Sequence, residues 1–256
     1  MESFTPEVRI LGSAAELARE AAKVFVNRMD EALRGRGVFT VALSGGSTPR
    51  GLYSLLASEE SFRSRVVWEQ IHFFWGDERP VPPDHPESNY RLADEAMLSR
   101  VPVPPDHIHR LAGENPDPAR AAEQYEEVLR RFFRIGRGEF PRLDLILLGM
   151  GRDGHTASLF PGTEALREKD RLVVANWVPQ LKTRRITMTL PVLNQAKWVL
   201  FLVSGEEKAK TLPAVLEEEG EAEALPSRLI RPVNGKVMWL VDRSAAGLLK
   251  KKNRGE

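Results

Sequence analysis

Residues 143–155 read LDLILLGMGRDGH, an apolar, strand-like run followed by Gly149, Gly151 and Gly154 at the spacing G-x-G-x-x-G. A dinucleotide-binding turn carries that spacing after a strand. It also needs an acidic residue about 20 positions on, at the end of the next strand, to hold the ribose hydroxyls. The next strand-like run, RLVVAN at 171–176, ends in Asn176, and Asp170 precedes that run instead of following it. Asp153 and His155 also stand inside the turn, where a carboxylate would repel a pyrophosphate. The stretch therefore reads as a strand whose loop presents titratable side chains, with NAD binding disfavoured.

Further apolar runs lie on both sides of it: VFTVAL (38–43), IHFFW (71–75), RRITMTL (184–190), WVLFLV (198–203) and VMWLV (237–241). Most are continuous rather than alternating, which suits strands covered on both faces. Helical patterns fall between them at 49–57, 89–100, 118–134 and 206–216. An earlier helix opens on a capping box, Ser13 with Glu16, continues through Leu17, Ala21, Val24, Phe25 and Met29, and should end near Gly35. Asp117 before Pro118, and Thr48 before Pro49, each predict an N-cap with proline at the first helical position. Strand and helix in alternation give the expected fold: one α/β domain over 1–256, a mostly parallel sheet with helices on both faces. The proline-rich pieces at 80–88 and 101–106 are too short to separate domains, and the acidic run 217–224 reads as a solvated helix end.

Composition narrows the function classes. With 37 basic against 36 acidic residues and a net charge of +1, no global field draws the chain to nucleic acid or to an anionic membrane. The densest basic cluster, Lys250, Lys251, Lys252 and Arg254, reads as a solvated end. Cysteine is absent, which removes disulfides, thiolate nucleophiles and cysteine metal sites together. The start, MESFTPEVRI, lacks the basic and apolar regions of a leader, and no apolar stretch approaches the roughly 18 residues of a membrane span. Cytoplasmic residence is the expectation, and nothing in the sequence sets an oligomeric partner.

In such a sheet ligands bind beyond the carboxyl ends of the strands. After VFTVAL comes SGGSTP: Ser44, Gly45, Gly46, Ser47 and Thr48 combine close backbone approach with hydroxyls at the start of a helix, a phosphate cradle in form. It is not a nucleotide P-loop, since no G-x-x-x-x-G-K-[ST] occurs. After IHFFW come Asp77, Glu78 and Arg79, where an arginine can hold a carboxylate, a phosphate or a developing oxyanion. His155 follows Gly154 at what reads as a helix start, with Asp153 two residues before it, and an imidazole there suits a general base near neutral pH. His107 and His109 lack a third ligand, so no metal is assigned. Lys208, after WVLFLV, and Arg185, beside Lys182 and Arg184, are open to two readings: cations for a phosphate, or surface charges.

Taken together, ALSGGSTPRGLY, FFWGDERPVPPDHPESNY, LDLILLGMGRDGHTASLFPG, RITMTLPVLNQAKWVLFLVSGEEKAKTL and GKVMWLVD resemble the 6-phosphogluconolactonases, within a wider group that includes glucosamine-6-phosphate deaminases. The resemblance runs from about residue 40 to residue 242 and implies a sugar-phosphate isomerase/deaminase-type fold. It implies that Ser44, Gly45, Gly46 and Ser47 form the phosphate loop with Arg185 and Lys208 as cationic partners. It further implies that His155 is the catalytic base, that Asp77 and Arg79 line the site, and that the reaction is hydrolysis of 6-phospho-D-glucono-1,5-lactone without metal or organic cofactor. Asp153 is then placed to orient the imidazole. Deaminases of this group tend to carry tyrosine where Arg79 stands, which favours the lactonase. The alternatives are a deaminase with Asp77 as base, and a sensor that binds a sugar phosphate without turnover, for which no segment large enough for a DNA-binding module is present.

Overall fold

The continuous apolar runs become the interior of a six-stranded, wholly parallel sheet in the computed structural model, which describes residues 6–217 and 224–250. In chain order the elements are β1 (Glu7–Leu11), α1 (Ala14–Arg36), β2 (Phe39–Leu43), α2 (Ser47–Ser58), α3 (Glu60–Arg63), β3 (Ile71–Trp75), β4 (Asp77–Glu78), α4 (Asn89–Ala96) and α5 (Pro118–Phe133). They continue with β5 (Leu145–Leu148), β6 (Val173–Val178), β7 (Thr183–Met188), α6 (Leu190–Leu193), β8 (Trp198–Val203), α7 (Thr211–Leu216) and β9 (Lys236–Asp242). The main sheet has the order β1-β9-β8-β5-β2-β3. Lys251, Lys252 and Arg254, and 218–223 of the acidic run, lie outside the described residues.

Each central strand feeds two cores. In β5, Ile146 and Leu148 face the core shared with α5, while Leu145 and Leu147 face the one shared with α1 and α2. That is why the run shows no alternation: both of its faces exclude water. Two buried tyrosines tie helices to strand ends. The Tyr53 hydroxyl in α2 accepts from Ser44 N and donates to Ser44 O, and Tyr125 in α5 does the same for Trp75. Burial pushes both hydroxyls well above the ordinary tyrosine value, so they stay neutral donors.

The chain departs from the expected pattern in four places. First, β1 was not expected: EVRIL is short and half exposed, and it becomes a strand by pairing with β9. Second, β6 and β7 do not join the parallel sheet; with β4 they form a separate antiparallel sheet, so β6 and β7 are a hairpin and not two crossover strands. Third, Thr48 is not an N-cap: α2 starts at Ser47, with Gly46 as cap residue and no side-chain bond. Fourth, no helix follows His155; turns lead from it to a short 3-10 helix at Glu164–Arg167. The other caps form as expected, Ser13 Oγ accepting from Glu16 N and Asp117 from Ala119 N, although Glu16 reaches back to Gly12 N, one residue beyond Ser13. α1 ends near Gly35 as expected, closed by Gly37.

Among the described residues no helix is long and apolar enough to cross a membrane, and no group of three or more His, Cys, Asp or Glu is placed to hold a metal ion. His72, His107 and His109 instead cluster with Phe132 beside β3, with His72 Nδ1 and His109 Nε2 3.1 Å apart. Burial, then the neighbouring histidines, pushes His72 down to about 4; burial and His107 do the same for His109, with Asp106 opposing and Arg131 adding. The unfolded chain takes up these protons near pH 6.5, before the folded chain does, so stability falls as pH drops from about 6.5 towards 4. Denaturant midpoints for the wild type and for His72→Gln/His109→Gln should diverge across that window, the wild type declining more steeply. Parallel declines would exclude the cluster as a source of acid sensitivity.

Candidate active site

The strand order fixes where a cleft opens. From β2 the chain moves outward to β3, while from β5 it moves the other way to β8 and β9, so the carboxyl ends of β2 and β5 flank the topological switch point. The loops that leave there are Ser44–Gly46 and Gly149–His155. Around them is a cleft of about 220 Å³ lined by Ser44, Gly45, Gly46, Asp77, Arg79, Asn89, His155 and Lys208, among others. It opens into a mouth of about 490 Å³ where Asp153, Phe160 and Arg185 appear, with Gln180 and Leu181 from the β6–β7 turn at the rim.

Local geometry holds the imidazole on three sides. Gly151 N donates to His155 O at 2.8 Å and Gly154 N to Gly151 O at 3.1 Å, which closes the loop, and Gly154 takes the left-handed φ of 75° that glycine favours. His155 Nδ1 lies 2.5 Å from Asp153 Oδ1, and the ring stacks on Phe160 at 4.1 Å between centroids. A carboxylate can only accept, so Nδ1 carries the hydrogen and the lone pair is left on Nε2. For Asp153, burial raises the carboxyl's affinity for a proton, but the hydrogen bond and charge of His155 outweigh it and hold the group below its ordinary value. The pair thus presents an imidazole held at Nδ1 by an ionised carboxylate, with Nε2 the ring nitrogen that Asp153 does not engage.

Asp77 is buried, and both of its oxygens are engaged: Oδ2 accepts from Ser158 Oγ at 2.7 Å and Oδ1 from Asn89 Nδ2 at 3.3 Å. Asn89 also donates to Asp77 O at 2.9 Å, and its Oδ1 lies against the Ser44–Gly46 loop, since a Cβ added to Gly45 would sit 1.7 Å away. Glu78, next along, points away from the cleft and caps α4, accepting from Asn89 N, Tyr90 N and Ser88 Oγ. Burial raises its carboxyl above the ordinary value despite those donors.

The cationic side is under-neutralised. Arg79 Nη1 donates to Glu87 O and Arg185 Nη1 to Arg184 O; among the described residues no carboxylate pairs with either guanidinium. Burial, then the charge of Arg79, lowers the Arg185 guanidinium from its ordinary value, with Asp77, Glu87 and Glu78 opposing. Among the described residues, the ion partner of Lys208 is Glu207 alone, at 3.8 Å. Three buried polar atoms without a partner, Ser44 Oγ, Arg79 Nε and Asn89 Oδ1, belong to residues that line this one cleft.

The fold therefore brings Ser44, Gly45, Gly46, Asp77, Arg79, Asp153, His155, Arg185 and Lys208 to one cleft and mouth. Ser47 and Thr48 line a different groove, between α1 and α2. The β7 pleat separates the adjacent arginines: Arg185 faces the mouth, and Arg184 lines a pocket beside Trp177 on the other face. Sequence reasoning did not find Asn89, Ser158 or Phe160. The SNY at 88–90 carried a usable signal, a Ser N-cap before a helix, whereas Ser158 and Phe160 meet the site only through the turn after His155.

Residues 12–239 match the family model for glucosamine-6-phosphate isomerases/6-phosphogluconolactonase. A 6-phosphogluconolactonase of Nostoc sp. is 43% identical over 94% of this chain and 98% of its own. One from Synechocystis sp. is also 43% identical, with the same coverage of both chains. Among solved structures, 6-phosphogluconolactonase from Trypanosoma cruzi superimposes with a TM-score of 0.83 at 33% identity, covering 96% of this chain and 97% of that one.

Proposed function

The chain belongs to the glucosamine-6-phosphate isomerase/6-phosphogluconolactonase family, and from that premise we propose that it hydrolyses 6-phospho-D-glucono-1,5-lactone to 6-phosphogluconate. The observation that carries the mechanism is the Asp153–His155 pair, 2.5 Å apart, set in one cleft with Arg79, Arg185 and Lys208. The Ser44–Gly46 loop and the free cations receive the phosphate, which carries near two negative charges at neutral pH. His155 Nε2 takes a proton from water as its oxygen bonds to C1. The tetrahedral oxyanion is stabilised by Arg79 or loop N–H groups. When the C1–ring oxygen bond breaks, the imidazolium returns that proton to the leaving oxygen, and the new carboxyl group ionises. The chemistry asks for no metal or organic cofactor. The same reading places the protein in the cytoplasm, acting on a small phosphorylated lactone and not on nucleic acid.

The deaminase alternative needs Asp77 to collect a proton from carbon. Both Asp77 oxygens already accept hydrogen bonds from Ser158 and Asn89, which favours a fixed, orienting carboxylate. The test is hydrolysis of freshly generated lactone with the spontaneous rate subtracted, alongside an ammonia assay with glucosamine 6-phosphate. Ammonia release without lactone hydrolysis would reverse the assignment.

Lys208→Ala should raise KM by about 10- to 100-fold, the worth of one charge-assisted contact to phosphate, with a smaller change in kcat. A fall in kcat as large as that caused by losing His155 would contradict a binding role.

A further inference from the structure

Asp242 is nine-tenths buried at the carboxyl end of β9, outside the cleft, and it lacks a cationic partner among the described residues. Its carboxylate collects donors from two directions. Oδ1 accepts from Ser244 Oγ at 2.7 Å and Ala245 N at 2.8 Å; Oδ2 accepts from Ser204 Oγ at 2.5 Å; both oxygens face Gly205 N at 3.2 Å. Burial by itself raises the carboxyl's proton affinity, and these donors more than reverse it, so the group stays ionised. The ionised carboxylate therefore ties the end of β9 to the Ser204–Gly205 turn.

That turn carries Lys208. Gly205 sits at φ 106°, a conformation open to glycine but not one it prefers above others, and its carbonyl accepts from Lys208 N at 3.1 Å. At the far end Thr211 Oγ donates to Arg152 O in the loop of His155. The segment 204–211 is thus strapped to β9 at one end and to the base loop at the other, with the lysine between. Among the described residues its ammonium meets only Glu207, at 3.8 Å, so its position depends on the backbone beneath it.

We propose that Asp242 is a positioning residue that sets phosphate affinity by fixing the Ser204–Lys208 turn. This rests on the reading of Lys208 as a phosphate ligand. Asp242→Asn keeps the shape but removes the charge and sets an NH₂ group in place of one oxygen; because Gly205 N faces both oxygens at 3.2 Å, it meets that donor in either amide orientation and its pin weakens. KM for the lactone should rise about 3- to 30-fold, with the loss on KM rather than kcat, and the Lys208→Ala/Asp242→Asn double variant should be no worse than Lys208→Ala alone. An increase that multiplies in full onto the lysine variant, or an unchanged KM in folded Asp242→Asn, overturns the proposal. If Asp242→Asn does not fold, as judged by its melting curve, Ser204→Ala, which removes one hydroxyl donor, enters the same cycle with the same expectations. Calorimetric titration of inorganic phosphate separates this inference from the assigned reaction. Wild type that binds phosphate but leaves the lactone untouched disproves the reaction only, and weaker phosphate binding by Asp242→Asn then still supports the role of Asp242. Equal phosphate binding by wild type and Asp242→Asn, or none by wild type, defeats it.

Discussion

His155→Ala lowers kcat for lactone hydrolysis by about 10²- to 10⁴-fold, the range that a positioned general base supplies, while 6-phosphogluconate still binds. The size follows from what is lost: alanine removes the one acceptor atom, Nε2, that the Asp153 hydrogen bond leaves free. The cations are untouched, so affinity for the phosphorylated product persists. Asp153→Asn should also lose activity, because an amide can offer its NH₂ to Nδ1 and so move the imidazole hydrogen to Nε2. Adding Asp153→Asn to His155→Ala should cost little more, since the two act as one unit. Steady-state rates of the four proteins, with product affinity measured by calorimetry, check this. Near wild-type turnover in His155→Ala would remove the histidine from the mechanism.

What the sequence revealed about this site, and what it hid, divides along physical lines. The central strands were legible because burial on both faces leaves an uninterrupted apolar run, as in LILL of β5. The loops that line the cleft were legible because they follow those strands directly: Ser44 after Leu43, Asp77 two residues after Trp75, His155 after the glycines. The hairpin of β6 and β7 was misplaced because parallel and antiparallel partners leave similar composition, and the connection through Pro179–Leu181 gave no strong turn signal. The start of α2 was misread because Thr48-Pro49 satisfies a local capping rule, whereas the helix begins one residue earlier, at Ser47, behind Gly46. The helix start at Ser88 was open to reading, but the contacts that Asn89, Ser158 and Asp242 make were not, for a common reason. These residues act through contacts to backbone or to a residue distant in sequence, and no local spacing encodes such contacts.

Gly151→Ala should lower kcat by about 10²-fold while leaving the fold intact, and the comparison with its two neighbours in the G-x-G-x-x-G run is what makes the result informative. Gly151 is not among the positive-φ residues, so alanine meets no backbone strain there. Its added Cβ, however, would lie 2.0 Å from His155 Nδ1 and 2.6 Å from Asp153 Oδ1. Real contacts of that kind need more than 3 Å, so the imidazole must move by about 1 Å or more and the 2.5 Å bond to Asp153 must break. At Gly149 the same substitution meets nothing within 4 Å, and its loss should be much smaller. At Gly154 it meets Leu225 at 2.6 Å on a backbone with φ 75°, so that variant should lose melting temperature as well as activity. The three glycines thus serve open space, the approach of the imidazole, and a left-handed turn, none of which concerns a pyrophosphate. Melting curves and kcat for the three single variants decide the matter. An active Gly151→Ala protein with an unchanged KM would mean that His155 does not act from the position its loop gives it.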